Sequence, residues 1–283
     1  MEGYVLTGEK IREFERYLGE EEHRRATVEK YLRNVRFFAR WLEGQGREID
    51  KEAVAAWKEH LQGEGYAPST VNSKLAALNR FFGFAHLEGC RVKFLHVQRR
   101  AFREDSRDLE RQEYERLLMA ARRSGDRRLE LVIGTIGATG IRVGELPFVT
   151  VEAARRGRTT VNLKGKVRVI LLPEKLCGKL LSYAKRAGIR SGEIFRTKSG
   201  RGLSRRQIWR EMKMLSKRAG VEGTKVFPHN LRHLFATAFY EACGDIVKLA
   251  DVLGHSSIET TRIYLMTTGK EHARQLDQLG LVL

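Results

Sequence analysis

The sequence of 283 residues predicts a mainly α fold with one small antiparallel β-sheet, an α+β architecture in two domains. Apolar residues recur at helical spacing along most of the chain, which is the primary sign of amphipathic helices. One stretch, Thr159 to Leu172, changes to a period of two around Gly165, which is a hairpin signature. A charged stretch without apolar periodicity, Arg99 to Asp108, reads as a linker between a domain over 1–98 and another over 109–283. With 42% hydrophobic residues, 31% charged residues and four prolines, the composition excludes disordered, collagen-like and low-complexity chains. No internal repeat is visible.

Residues 1–98 read as all-helical. Val28, Leu32, Val35, Phe38 and Leu42 form an apolar stripe, with Thr27 just ahead and Gly44 and Gly46 closing the run. A second helix starts near Asp50 and carries Val54, Trp57 and Leu61 on one face. A third follows Pro68, with Val71, Leu75, Leu78, Phe82 and Ala85 as its stripe. The opposite face of this third helix offers Asn72, Ser73, Lys74, Asn79 and Arg80, a mixture suited to a helix laid along DNA. Beyond the linker, Leu109–Ala121 and Leu129–Ile136 are helical, the second of them buried. In the hairpin, Val161, Leu163, Val167, Val169 and Leu171 alternate with polar residues. The helical period returns in Arg205–Ala219, Leu231–Ala242, Asp245–Leu253 and Ser256–Met266.

The chain carries 53 Lys and Arg against 35 Asp and Glu, a formal charge of +18. Residues 1–100 hold 18 basic and 15 acidic side chains, whereas Arg155–Lys225 alone holds 21 basic and four acidic ones. Such a concentrated excess, broken by regular apolar positions, predicts a nucleic acid as partner. The uncharged stretch Leu131–Ile141 has eleven residues and three glycines, too short to span a bilayer, so no membrane partner is expected. The first twenty residues mix acids and bases and fit no secretory signal. Cys90, Cys177 and Cys243 are far apart and contain no CxxC, which excludes a disulfide framework and a zinc ribbon and predicts a reducing cytoplasm.

Polar residues gather at four places where an apolar run stops. In Thr139–Leu146 (TGIRVGEL), a buried helix ends at glycine and a new one is expected to begin with Arg142 in its first turn, near free amides. Glu145 is read as bracing the helix that carries Arg142. Lys164-Gly165-Lys166 forms the hairpin tip. In Pro228–His233 (PHNLRH), proline starts a helix and places His229 and Arg232 on one face. In Leu253–Tyr264 (LGHSSIETTRIY), Gly254 stops one helix, Ser256 and Glu259 suit a capping box for the next, and His255 sits at the junction. His229 and His233, at i and i+4, have the spacing of zinc ligands, but the HExxH order and a third ligand are missing.

In these boxes the sequence resembles the tyrosine recombinases, the family of phage and transposon integrases and Xer-type recombinases. TGIRVGEL matches the family's first arginine box, PHNLRH its His-x-x-Arg box, and LGHSSIETTRIY its histidine and nucleophilic tyrosine. The resemblance covers essentially the whole chain, since residues 1–98 look like the family's helical core-binding domain. The hairpin departs from the family: NLKGKVR is about a residue shorter than the common GKGxKxR. Both Lys164 and Lys166 thus stand as catalytic lysine, and Lys164 is preferred because it precedes the glycine.

The residue set fits phosphoryl transfer without a metal or cofactor. Arg142 and Arg232 can clamp the non-bridging oxygens of a scissile phosphodiester, in place of metal ions. Tyr264 is the expected nucleophile. A free phenol titrates near 10, so the site has to help remove its proton, and His229 is placed to do so. His255 is expected to hydrogen-bond a non-bridging oxygen, and the hairpin lysine to protonate the leaving 5′-oxygen. The resemblance implies a 3′-phosphotyrosyl intermediate, double-stranded DNA with specific recombination sites as partner, and a tetramer on two DNA segments. Integration or excision of a mobile element is the expected role. Xer-type chromosome-dimer resolution, type IB topoisomerase-like relaxation and a non-catalytic DNA-binding regulator are the alternatives. Asn72, Lys74, Arg80, Lys166, Arg205 and Arg206 are the candidate DNA contacts. The tail Glu271–Leu283 ends apolar and suits docking on a neighbouring subunit or on its own domain.

Overall fold

A computed structural model of the chain describes residues 6–96, 108–163, 166–197, 199–265 and 277–278, with the side chains of Leu163 and Lys166 left out. Lys164 and Gly165, most of the segment 99–108, and nearly all of the tail 271–283 therefore lie outside the described residues. The chain divides into two compact units, Met1–Arg99 and Arg100–Leu283.

The first unit is built from α1 (Gly8–Glu20), α2 (Arg25–Gln45), α3 (Lys51–Gly63) and α4 (Pro68–Phe84). Each buries one stripe at 3–4 spacing: Ile11, Phe14 and Leu18 on α1; Leu32, Val35, Phe38 and Leu42 on α2; Val54, Trp57 and Leu61 on α3; Val71, Leu75, Leu78 and Phe82 on α4. Side-chain caps set two of the starts, the Thr7 hydroxyl accepting from Lys10 N at 3.3 Å and the Asp50 carboxylate from Ala53 N at 2.5 Å. α2 begins at Arg25, so Thr27 lies inside its first turn instead of ahead of it. Aromatic edges lock the core: Phe38 meets Trp57 at 5.0 Å and Phe14 meets Phe81 at 5.3 Å, both T-shaped.

The polar face of α4 works largely for its own unit. Asn72 donates to Leu95 O at 2.9 Å and accepts from Leu95 N at 2.7 Å, which pins the segment after α4 to that helix. The Lys74 ammonium lies 4.0 Å from the centre of the Phe37 ring. Arg80 pairs with Glu21 at 2.7 Å and lies over the Tyr17 ring. Both cations are only partly exposed.

The second unit contains α5 (Arg111–Arg123), α6 (Arg127–Thr139), a 3₁₀ stretch Val143–Phe148, α7 (Val151–Arg156), β1 (Arg158–Leu163), β2 (Lys166–Leu171), α8 (Glu174–Arg186), α9 (Arg205–Ala219), α10 (Pro228–Cys243), α11 (Ile246–Leu253) and α12 (Ile258–Arg262). α6 is the centre of the unit, packed by α5, α8, α9 and α10, and its residues from Leu129 to Thr139 are mostly buried. It ends at Gly140 in the left-handed region (φ 61°), where a Cβ would lie 2.9 Å from Leu253 and 2.8 Å from Phe235. Glycine is thus required twice over, by conformation and by the closeness of α10 and α11.

The hairpin pairs Leu163 with Lys166, Val161 with Arg168 and Thr159 with Ile170. Its inner face is Thr159, Val161, Arg168 and Ile170, while Val167, Val169 and Leu171 are exposed. The alternation of β2 therefore runs opposite to the apolar reading. Apolar residues occupy both faces of β2, so hydrophobicity alone cannot set its facing, and the partners waiting for Arg168 decide it. No helix among the described residues is long and apolar enough to cross a membrane.

Phe38 packs against Trp57, Trp41 and Phe82 with no exposed surface. Phe38→Ala is expected to cost about 3–5 kcal/mol, read as a lowered midpoint of denaturant unfolding. A loss below about 1 kcal/mol, the range of surface changes, would show that the aromatic cluster does not hold this unit together.

Candidate active site

α11 ends at Leu253, and Gly254 turns the chain away in the left-handed region. The last carbonyls of a helix have no partner within it and carry the negative end of its dipole. Here three arginines from three elements take successive carbonyls. Arg168 of β2 donates Nη1 to Val252 O at 2.8 Å, Arg232 of α10 donates Nη2 to Leu253 O at 2.8 Å, and Arg142 donates Nη2 to Gly254 O at 3.2 Å. Arg232 also donates Nη1 to Gly140 O, so its guanidinium joins the C-terminal ends of α6 and α11. A Cβ on Gly254 would run into the Arg168 side chain.

Glu145 binds two of these arginines. Its carboxylate accepts from Arg142 N at 2.8 Å, Arg142 Nη1 at 3.1 Å and Arg168 Nη2 at 2.5 Å. Burial by itself would raise the Glu145 carboxyl, but the bonds from Arg168 and Arg142 outweigh it and hold the group below the usual carboxylate range. Arg142 is not in the first turn of an α-helix. It caps the 3₁₀ stretch, which contains Pro147, and Glu145 reaches back to its backbone N–H. Burial and the Arg142 charge lower Arg232 to about 10, against hydrogen bonding with Tyr264, and it stays cationic at neutral pH.

α10 begins with Pro228 and carries His229 and Arg232 on one side, with His233 a turn beyond His229. Tyr264 lies in a 3₁₀ turn, Ile263–Leu265, that continues α12. Its buried ring is surrounded by histidines: the His233 centroid is 5.2 Å away, and those of His229 and His255 are 5.6 Å away, His255 stacked at 9°. The start of α12 differs from the expected capping box, since Ser257, not Ser256, caps the helix through Glu259 N.

His255 Nε2 is 2.9 Å from Arg232 Nη2, and Nδ1 is 2.8 Å from Thr261 Oγ1. A guanidinium only donates, so Nε2 accepts here. Burial, then the charges of Arg232, Arg142 and Arg168, push His255 down to about 4, so the ring is neutral at physiological pH. Nε2 thus faces a donor in the fold, whereas an Nε2–H is what a phosphate oxygen would need.

Arg142, His229, Arg232, His255 and Tyr264 line one cavity of about 840 Å³. Arg205 lies at the same cavity, its guanidinium so close over Gly144 that a Cβ there would be 3.0 Å from Arg205 Cζ. Arg206 is exposed on the first turn of α9. Lys164 falls outside the described residues, as does the side chain of Lys166. Asn72, Lys74 and Arg80 belong to the first unit, where each has the partners given above. Among the described residues no group of three His, Cys, Asp or Glu side chains is arranged to hold a metal ion. Two residues of the site escape the sequence reading. Arg168 is the arginine of NLKGKVR, and an arginine between valines carries no sign in the sequence that it turns inward. Thr261 is buried and carries no sign of its histidine partner in the sequence.

Replacing Glu145 by Gln leaves two guanidiniums facing each other across a neutral amide. Because Arg142 is partly exposed, a loss of about 2–3 kcal/mol is expected, below the usual cost of breaking a fully buried pair. The carboxyl is held low in the fold, so its contribution is present at neutral pH and disappears as pH falls through its folded value. The stability gap between wild type and Glu145→Gln should therefore narrow in acid. A constant gap from pH 7 to pH 3 would refute the ion-pair account.

The description "Phage integrase family" matches residues 107–271, and "Phage integrase, N-terminal SAM-like domain" matches residues 11–89. A protein called tyrosine recombinase XerA from Thermococcus kodakarensis is 31% identical over 279 residues, covering 95% of this chain and 94% of its own. Tyrosine recombinase XerD of Caulobacter vibrioides is 29% identical, covering 90% of each chain. A lambda integrase tetramer solved on a Holliday junction shares the fold with a TM-score of 0.71 at 20% identity, over 93% of this chain and 78% of that one. By these matches the chain belongs to the phage integrase family, the tyrosine recombinases that cleave and rejoin DNA strands.

Proposed function

We propose that this recombinase acts at specific sites in cytoplasmic double-stranded DNA, with Tyr264 as the nucleophile that forms a 3′-phosphotyrosyl intermediate. The observation that carries the reading is the Tyr264 ring enclosed by His229, His233 and His255 in the cavity that Arg142 and Arg232 line. In the first step Tyr264 Oη bonds to phosphorus, the bond to the 5′-oxygen breaks, and His229 takes the phenolic proton. Arg142 and Arg232 stabilise the charge growing on the non-bridging oxygens, and His255 donates to one of them in its Nε2–H form. Lys164 gives a proton to the leaving 5′-oxygen. The 5′-hydroxyl of a partner strand then bonds to phosphorus and gives its proton to Lys164, the bond to Tyr264 Oη breaks, and His229 returns the phenolic proton, so the strand is resealed without ATP.

The quaternary reading is a homotetramer bringing two DNA sites together, with the tail Glu271–Leu283 as the contact between subunits; a DNA-bound tetramer is known for lambda integrase. Integration or excision of a mobile element is the proposed role. Chromosome-dimer resolution is the second reading, favoured by relatives named XerA and XerD that match along almost their whole length. Sequencing the DNA beside the gene separates them, since inverted repeats and excision genes accompany a mobile element.

Tyr264→Phe is expected to bind DNA as the wild type does, with a steep fall in affinity as salt rises, yet to form no covalent protein–DNA adduct on a denaturing gel. An adduct in the Phe variant would place the nucleophile elsewhere.

The proton donor is tested by replacing the bridging 5′-oxygen with sulfur, a leaving group that needs no proton. Lys164→Ala should lose roughly a hundredfold or more in cleavage of ordinary DNA and recover on the sulfur substrate. Arg142→Ala should not recover, because the charge it stabilises is on the non-bridging oxygens. Recovery of Lys166→Ala in place of Lys164→Ala would move the role by two residues.

A further inference from the structure

Thr261 is completely buried on α12, three residues before Tyr264, so one short segment carries both. Its hydroxyl is the partner of His255 Nδ1, while His255 Nε2 faces Arg232 Nη2. Because the guanidinium has no lone pair to offer, Nε2 must present its own, and the single ring proton of the neutral imidazole belongs on Nδ1. That proton needs a buried acceptor, and Thr261 Oγ1 supplies it. We propose that Thr261 is a positioning residue that, together with Arg232, fixes the Nδ1–H tautomer of His255 by accepting its proton, so that the ring holds the Arg232 guanidinium in place and couples it to the Tyr264 segment.

The surroundings leave the tautomer as the open variable. Arg232 from α10, Arg168 from β2, Arg142 ahead of the 3₁₀ stretch and His229 all disfavour an imidazolium, and the Tyr264 ring covers one face of the imidazole. The ring is therefore neutral with or without Thr261. Loss of the hydroxyl would leave a buried Nδ1–H without an acceptor. The alternative, Nε2–H, would point one donor at another across 2.9 Å. A hydroxyl also donates, so the same contact can serve the Nε2–H form when a phosphate oxygen stands opposite Nε2. The tautomer assignment concerns the free protein and stands apart from the reaction; only its consequence for catalysis rests on the roles proposed for Arg232 and Tyr264.

The test uses the full chain without DNA, labelled with ¹⁵N in histidine and arginine, with His255 and Arg232 assigned through His255→Gln and Arg232→Lys. Wild type and Thr261→Ser should both show His255 as a neutral Nδ1–H ring. Thr261→Val, which keeps the shape and removes the hydroxyl, should lose that single form and shift the Arg232 guanidinium signals. A wild-type His255 found protonated on Nε2 would overturn the proposal, even if Thr261→Val failed to fold. So would a folded Thr261→Val that keeps the Nδ1–H form, or one that changes tautomer without moving the Arg232 signals. Failure of the wild type to form a covalent DNA adduct would count against the proposed function and leave the tautomer result standing.

Discussion

The site depends on the C-terminal end of α11, where the carbonyls of Val252, Leu253 and Gly254 receive Arg168, Arg232 and Arg142 in turn. Guanidiniums this close repel one another, and one carboxylate, Glu145, offsets only part of that repulsion. A helix terminus is a suitable counterweight because its carbonyls are partial charges that cannot be protonated away and need no counterion. They also fix the direction of each donor, since a carbonyl accepts along defined lines. The result is a set of cations held in place before any anion arrives, with little reorganisation left for the moment of reaction.

This arrangement places demands on distant parts of the second unit. Gly140 and Gly254 have to be glycine, because both chain reversals are left-handed and both lie against side chains that leave no room for a Cβ. α6 has to be buried along its length so that Gly140 O stands opposite Arg232. β2 has to turn Arg168 inward, which leaves Val167, Val169 and Leu171 exposed on the other face. The hairpin is thereby tied through Arg168 to Glu145 and to α11. The exposed valines are a local cost accepted for an electrostatic contact inside.

Much of this was legible in the sequence, and the illegible parts share a cause. The helices α2, α3, α4, α9, α10 and α11 announce themselves because burial on one side imposes a 3–4 spacing over several turns. Arg142, His229, Arg232 and His255 were legible because each sits where an apolar run stops, and Tyr264 because the box that carries it resembles the tyrosine recombinases. Arg168 was not, since its neighbours are apolar on both faces of β2 and only tertiary partners decide which face turns inward. The 3₁₀ stretch after Arg142 and the shift from Ser256 to Ser257 are changes of one or two residues, set by local hydrogen bonds that periodicity does not register. α1, α7 and α8 had no separate reading; α7, with six residues, is too short to show a period, while the stripes of α1 (Ile11, Phe14, Leu18) and α8 (Leu176, Leu180, Ala184) are carried by few apolar residues among many charged ones.

The distribution of acids explains how so basic a unit folds at all. Within it Glu113, Glu130, Glu145 and Glu211 are nearly buried, and each is paired with a cation: Lys225 for Glu113, Arg122 and Arg127 for Glu130, Arg142 and Arg168 for Glu145, Arg128 for Glu211. These four carboxylates are placed inward, where lower screening strengthens each attraction. A random scatter of the same charges would do the reverse for many pairs. Glu110, Glu115, Glu174, Glu222, Glu241 and Glu259 remain exposed, so the inward pairing covers only part of the unit's acids, and its net positive charge rests on the larger number of Lys and Arg. One set of pairings therefore serves the stability of a strongly basic fold, and Arg142 belongs to that set while its side chain stays partly exposed at the cavity it lines with Tyr264.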